Sequence, residues 1–212
     1  MGRKIIDPTI HVVFPCPVYI IKRDTSISPK EEKEIGEIIQ EGMHSNVSNS
    51  MSNNSDIFNG KLKELKQFCE EQLNRYVKEI MNPKEELDFY ITQSWLNITK
   101  RGEFHHEHSH PNSIVSGVFY ISTEEDDKIT FVDPNVKVKE MIKIEQESFN
   151  PFNSSSCFFP SIANELVLFP SWLNHMVHPN KQATKDRISI SFNTFVNGNL
   201  GSRKNLTELI LR

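Results

Sequence analysis

Phe89-Tyr90-Ile91-Thr92-Gln93-Ser94-Trp95-Leu96-Asn97-Ile98-Thr99 opens the half of the chain that decides the architecture. β-Branched and aromatic residues dominate it, and these favour a pleated, half-buried surface. Runs of the same kind follow over 113–122, 128–132, 136–144, 165–169 and 187–196. Gly, Pro, Asn and Asp fill the intervals, which is the pattern of an antiparallel sandwich or barrel.

Upstream the period changes. Ser28-Pro29 followed by Glu31 and Glu32 reads as an N-cap, a proline at the first helical position and acid in the first turn. The helix should run to about Met43, with Ile35, Ile38, Ile39 and Met43 on one face. Residues 44–60, rich in Ser and Asn and ending in Gly, read as a surface loop. A second helix is expected over 60–81, where Leu62, Leu65, Phe68, Cys69, Leu73, Tyr76, Val77 and Ile80 keep the spacing that buries one stripe. Cys69 falls in that stripe and reads as a small core residue. Earlier still, Ile10–Phe14 and Val18–Ile21 are β-type segments separated by prolines, as at a sheet edge or a break. The whole reads as an α+β chain of one domain, 1–212. Strands and supporting helices occupy 1–88, the β core 89–197 and a C-terminal extension 198–212.

Composition bounds the function. The chain has 212 residues, 37% hydrophobic and 25% charged, with a net charge of −4. That balance argues against a polybasic nucleic-acid grip, which needs clustered Lys and Arg. No apolar run approaches the roughly 20 residues of a membrane span. Cys16, Cys69 and Cys157 are odd in number, far apart and without a CxxC pair, so neither a disulfide framework nor a thiolate zinc site is expected. A reducing, cytoplasmic setting fits. The N-terminal apolar stretch is broken by Asp7, Pro8, Pro15 and Pro17 and reads as a poor signal peptide.

One anomaly stands out in that composition. Of eight histidines, four lie within 105–110 and two more are His175 and His178. On an extended strand alternate side chains share a face, so His106, His108 and His110 would point one way and His105 and Glu107 the other. Two imidazoles at i and i+2 can hold one metal ion, with a third ligand from a distant strand. Spacing alone leaves the register open, since His105-x-Glu107 and His108-x-His110 are both ligand-type pairs. A solvated His-rich tract is the bland alternative, although β-type runs flank the cluster.

Longer motifs resolve that ambiguity by resemblance. Trp95-x-Asn97, Gly102-x-Phe104, His108-x-His110-Pro111, Ser116-Gly117-Val118-Phe119-Tyr120, Phe169-Pro170-Ser171-Trp172-Leu173-x-His175 and Arg187-Ile188-Ser189-Ile190-Ser191-Phe192-Asn193 occur in order. The series resembles the iron(II)/2-oxoglutarate-dependent oxygenases of bacteria and their phages, a prolyl-hydroxylase-like branch of the double-stranded β-helix (jelly-roll) superfamily. The resemblance covers roughly Gln93 to Val196. It implies a jelly-roll core braced by the two N-terminal helices, with His108, His110 and His175 as iron ligands. The superfamily's usual triad is two histidines and a carboxylate, whereas position 110 is His. Either three histidines hold the iron, or a carboxylate such as Glu107 or Asp133 takes part.

The resemblance further implies Fe(II), 2-oxoglutarate and O2, with ascorbate as a stimulant. Arg187 would clamp the far carboxylate of 2-oxoglutarate with its planar fork, and Ser189 shares its strand face. Asn97, Tyr120 and Asn193 are further candidates to line that pocket. Trp95 and Trp172 are expected to pack, and 145–160, with Phe149, Phe152, Phe158 and Phe159, is a lid or a rim insertion.

The expected activity is a hydroxylase that couples oxidative decarboxylation of 2-oxoglutarate to oxidation of a small-molecule or peptidyl substrate, prolyl by family likeness. Two rivals remain. One is a cupin-like three-histidine metalloenzyme that does not use 2-oxoglutarate; the other is a non-catalytic jelly-roll module that binds metal. A homodimer through the edge strands near 10–21 stays open.

Overall fold

Alternation along the strands sorts side chains between two cores, and that sorting is what creates the site. In this computed structural model residues 10–11, 13–139 and 141–212 are described. The strands are β1 (Tyr19–Lys22), β2 (Met43–Asn46), β3 (Asn49–Ser52), β4 (Asp88–Thr99), β5 (His105–His108), β6 (Val115–Ser122), β7 (Lys128–Val132), β8 (Ser156–Pro160), β9 (Glu165–Pro170), β10 (His175–Val177), β11 (Arg187–Leu200) and β12 (Leu209–Leu211). The larger sheet has the order β1-β9-β6-β11-β4-β3-β2, with β12 paired to the far end of β11. The smaller sheet has the order β5-β10-β7-β8, and every paired strand in both is antiparallel.

On β6, Phe119 joins the core under the helices while Val118 and Tyr120 join the core between the sheets. β9 divides in the same way, with Leu166 and Leu168 on one side and Val167 and Phe169 on the other. On β11, Ile190 and Phe192 face the helices, which leaves Arg187, Ser189 and Ser191 to the space between the sheets. This is the jelly-roll expected, with the helices as an outer layer on the larger sheet.

Helix α1 (Pro29–Gln40) starts as expected, on a capping box in which Ser28 Oγ accepts from Glu31 N and Glu31 Oε2 accepts from Ser28 N. Glu31 also pairs with buried Arg23 at 2.9 Å, which fixes the helix to the strand preceding it. It stops short of Met43 because Gly42 turns the chain at φ +120°. Helix α2 (Lys63–Tyr76) continues into a π-helical turn over Val77–Met81 and buries Leu65, Cys69, Leu73 and Tyr76.

Three expectations need correction. Part of 44–60 is not loop: β2 and β3 form a hairpin that extends the larger sheet by pairing with β4. Ladder bonds and the acceptance of Leu96 N by Ser52 Oγ outweigh the weak strand propensity of Ser and Asn. The described residues of 136–144 are not in a strand. Asp133 takes Asn135 N on its side chain and Val136 N on its carbonyl, which winds Val136–Lys139 (α3) into a helical turn. Of the β-type segment expected over 10–14, Val12 lies outside the described residues, and Ile10, His11, Val13 and Phe14 are not in a strand; the second segment, 18–21, supplies β1 at the sheet edge. No helix among the described residues is long and apolar enough to cross a membrane.

Candidate active site

The histidine tract does not alternate. His175 on β10 pairs with His108 on β5, but Val177 pairs with His105, so three steps on β5 oppose two on β10. That bulge turns both His105 and His108 inward and leaves His106 and Glu107 exposed. His110 follows β5, its N–H donating to Ser171 O at 2.9 Å, and its ring lies beside that of Trp95 at 6.0 Å between centroids. Among the described residues, one group of His, Cys, Asp or Glu has ligand atoms mutually close enough to hold an ion. It is His108, His110 and His175, within 4.8 Å of one another. Glu107 instead accepts from Asn174 Nδ2, and Asp133 caps its own turn.

Two of these rings are set in orientation by the backbone. His108 Nδ1 lies 2.8 Å from His106 O, and His175 Nδ1 lies 3.0 Å from Leu173 O. A carbonyl only accepts, so each Nδ1 carries the proton and each Nε2 presents its lone pair, as a metal ligand must. Burial lowers the pKa of all three, His110 to about 4 and His175 to about 3 with neighbouring imidazoles adding to the effect. They are therefore neutral near pH 7, the protonation state that ligation needs. His105 stacks on His108 at 4.4 Å between centroids and is also held neutral by burial, its pKa lowered to about 3.

The rings line one end of a cavity between the sheets that is open to solvent. Asn97, Thr99, Tyr120, Arg187, Ser189 and Ser191 line it from the larger sheet. Arg187 is only 7% exposed, and the one hydrogen bond of its side chain among the described residues runs from Nη2 to Thr99 Oγ1, 3.0 Å away. It makes no ion pair there; Asp127 bears on it only at longer range. Burial pushes the Tyr120 phenol up, opposed by nearby Ser161 and Arg187. Asn193 lies elsewhere: its Oδ1 accepts from Ser116 Oγ, itself bonded to Ser171, behind the histidines.

A family profile described as "Putative 2OG-Fe(II) oxygenase" matches residues 93–193. That segment is the β core with every residue of the histidine–arginine cavity named above. Over those residues, just under half of the chain, the protein is similar to the 2OG-Fe(II) oxygenases.

Solved structures share the fold. HygX of Streptomyces hygroscopicus, with nickel, 2-oxoglutarate and hygromycin B bound, aligns at TM-score 0.56 and 12% identity, covering 84% of this chain and 82% of its own. A prolyl-4-hydroxylase of Pseudomonas putida aligns at 0.52 and 16%, over 84% and 92%. A Trichoplax adhaerens prolyl hydroxylase bound to a hypoxia-inducible-factor peptide aligns at 0.57 and 17%, over 84% and 83%. No curated protein matches the chain.

The donors fit the group that the description of the matched family implies. Three neutral imidazoles with two lone pairs aimed by the backbone suit a divalent iron. A buried guanidinium that pairs with no carboxylate among the described residues suits a dicarboxylate. The cavity also contains residues that the sequence did not single out. Asn49 enters from the β2–β3 hairpin, and Thr99 anchors Arg187. Trp172, expected to pack, is exposed, and His178 lines separate crevices.

Proposed function

We propose that the protein is an iron(II)- and 2-oxoglutarate-dependent hydroxylase in which His108, His110 and His175 hold the metal and Arg187 anchors the co-substrate. The observation that carries this is Arg187: a guanidinium buried in the cavity, bonded to one hydroxyl and paired with no carboxylate among the described residues, opposite three imidazoles. A planar fork of donors matches a carboxylate with two parallel bonds. Thr99 holds the fork in place, while Ser189 and Tyr120 offer hydroxyls on the same wall.

When bound, iron and 2-oxoglutarate supply the oxidation, in which R–H, 2-oxoglutarate and O2 become R–OH, succinate and CO2. The chain's own residues orient the reactants and limit water. His106 O and Leu173 O keep two imidazoles turned inward, and Phe131 and Phe169 pack against His175, shielding it on the inner side. Three neutral ligands contribute no charge, so the dianionic co-substrate itself neutralises the divalent ion; with a carboxylate ligand the balance would be one unit more negative. The substrate class supported by the family likeness is a small molecule or a peptidyl residue, proline among them, with ascorbate stimulating turnover and the cytoplasm as the setting.

The test is succinate formed from 2-oxoglutarate by the purified protein with Fe(II), O2 and ascorbate, with Arg187→Ala as control. Succinate that depends on Arg187 is the expected result. A protein that binds iron through its histidines yet consumes no 2-oxoglutarate with any substrate would favour a three-histidine enzyme of another kind.

A further inference from the structure

The co-substrate wall does not end at the segment shared with the family. Asn49, on β3 and outside residues 93–193, lines the same cavity. It is 3% exposed, and neither its Nδ2 nor its Oδ1 has a hydrogen-bond partner. Buried amides are almost always bonded, so one left open toward a cavity marks a place that a ligand or a water occupies.

Register shows which ligand group would reach it. β3 pairs Met51 with Asn97 and Ser50 with Ile98, and one further step brings Asn49 opposite Thr99. Thr99 is in turn paired with Arg187. Asn49, Thr99 and Arg187 thus form one row across three strands, each about 4.8 Å from the next, with all three side chains in the cavity. The guanidinium already points along this row, because Nη2 bonds Thr99 Oγ1. A carboxylate held by Arg187 above Thr99 still has lone pairs directed toward β3. The hairpin is steadied from the other sheet as well, since Asn46 Nδ2 lies 3.4 Å from His105 Nε2.

We propose that Asn49 is a further binding residue for 2-oxoglutarate, donating from Nδ2 to the far carboxylate that Arg187 clamps. The β2–β3 hairpin is then part of the co-substrate site. This rests on the co-substrate reading above, and it adds a residue that neither the motif series nor the matched segment contains.

The experiment is anaerobic calorimetric titration of 2-oxoglutarate into the Fe(II)-loaded protein, for wild type, Asn49→Ala and Asn49→Asp. 2-Oxopentanoate, which keeps the chelating end and lacks the far carboxylate, is titrated in parallel. Loss of one hydrogen bond to a charged group predicts about tenfold weaker 2-oxoglutarate for Asn49→Ala. Asn49→Asp places like charge against the carboxylate and should weaken binding about 100-fold or more. Affinity for 2-oxopentanoate should stay within about twofold of wild type in Asn49→Ala. Iron content and melting temperature check folding, and Asn49→Ser replaces the alanine variant if that one does not load iron. Unchanged 2-oxoglutarate affinity, as expected if Asn49 only holds water, overturns the proposal; so does an equal loss for both acids. A wild-type protein that loads iron but binds no 2-oxoglutarate overturns the co-substrate reading itself, which distinguishes the two failures.

Discussion

Arg187 holds a positive charge where burial opposes it, and burial accordingly pulls its pKa below the ordinary value while Tyr120 and Asp127 resist. Such a charge persists when its surroundings offset desolvation, and here Thr99 is the only bonded partner among the described residues. A bound dicarboxylate would supply the missing partner. Arg187→Ala should therefore leave iron content unchanged and weaken 2-oxoglutarate by about 30-fold or more, as truncating one side of a buried charge pair costs about 2–5 kcal/mol. Titration of 2-oxoglutarate into the iron-loaded variant measures this, and unchanged affinity would remove Arg187 from the site. The ligand set is tested at the same scale. His175→Ala removes one of three nitrogens and the contact that joins β10 to the metal group, so metal analysis after anaerobic loading should find iron lost. His110→Asp restores the two-histidine, one-carboxylate set and should still load iron. Iron retained in full by His175→Ala would exclude it as a ligand.

At the scale of elements, what was legible depended on whether a pattern reported local structure or pairing. The cap at Ser28 and the apolar stripe of α2 are local and were visible. The strand runs of β4, β6, β7, β9 and β11 carry enough β-branched and aromatic residues to be visible too. The β2–β3 hairpin was hidden because Asn and Ser report a loop, and only its ladder with β4 makes it sheet. The bulge on β5 was hidden for the same reason. Strict alternation separates His105 from His108, and nothing local announces that two residues of β10 will face three. Among the sequence-named candidates, His108, His110 and His175 meet, as do Arg187, Ser189, Asn97 and Tyr120, while Asn193 sits in a hydroxyl network instead. Gly117 of the Ser-Gly-Val-Phe-Tyr motif has a packing reason. A Cβ there would collide with the ring of Phe192, which is fully buried under the helices. Gly117→Ala should destabilise by about 1–3 kcal/mol, the range for overpacking a filled core, as read by urea denaturation. Stability equal to wild type would mean that β6 and β11 can part without cost. Thiol labelling tests the α2 stripe: Cys16 and Cys157 are exposed, while Cys69 is fully buried with its thiol pKa pushed far up by desolvation. Two cysteines should react promptly in the native protein and the third only on unfolding.

On the scale of the whole molecule, the ligand groups are divided unequally between the sheets. His108 on β5 and His175 on β10 belong to the smaller sheet, and His110 follows directly from it, whereas Arg187 and its row belong to the larger one. The larger sheet is backed by the helices and their extensive apolar core. The smaller sheet is held mainly by Val118, Tyr120, Ile129, Phe131, Val167, Phe169 and Leu173, with the polar cavity in place of further packing. Under the proposed assignment, a metal ion by itself would tie elements within the smaller sheet. A 2-oxoglutarate held by that ion and by Arg187 would tie one sheet to the other. Ligands that bind only the folded state stabilise it by RT ln(1 + [L]/Kd), about 2.7 kcal/mol at 100 times Kd. Thermal unfolding under anaerobic conditions should thus show a rise with Fe(II), a further rise when 2-oxoglutarate is added, and little change with 2-oxoglutarate alone. Removal of iron with a chelator should abolish both increments together. Arg187→Ala should retain the first increment and lose most of the second, because the bridge then has no anchor on the larger sheet. An equal stabilisation by 2-oxoglutarate with and without metal would show that the acid binds away from the histidines, and the two ends of the cavity would then not form a single site.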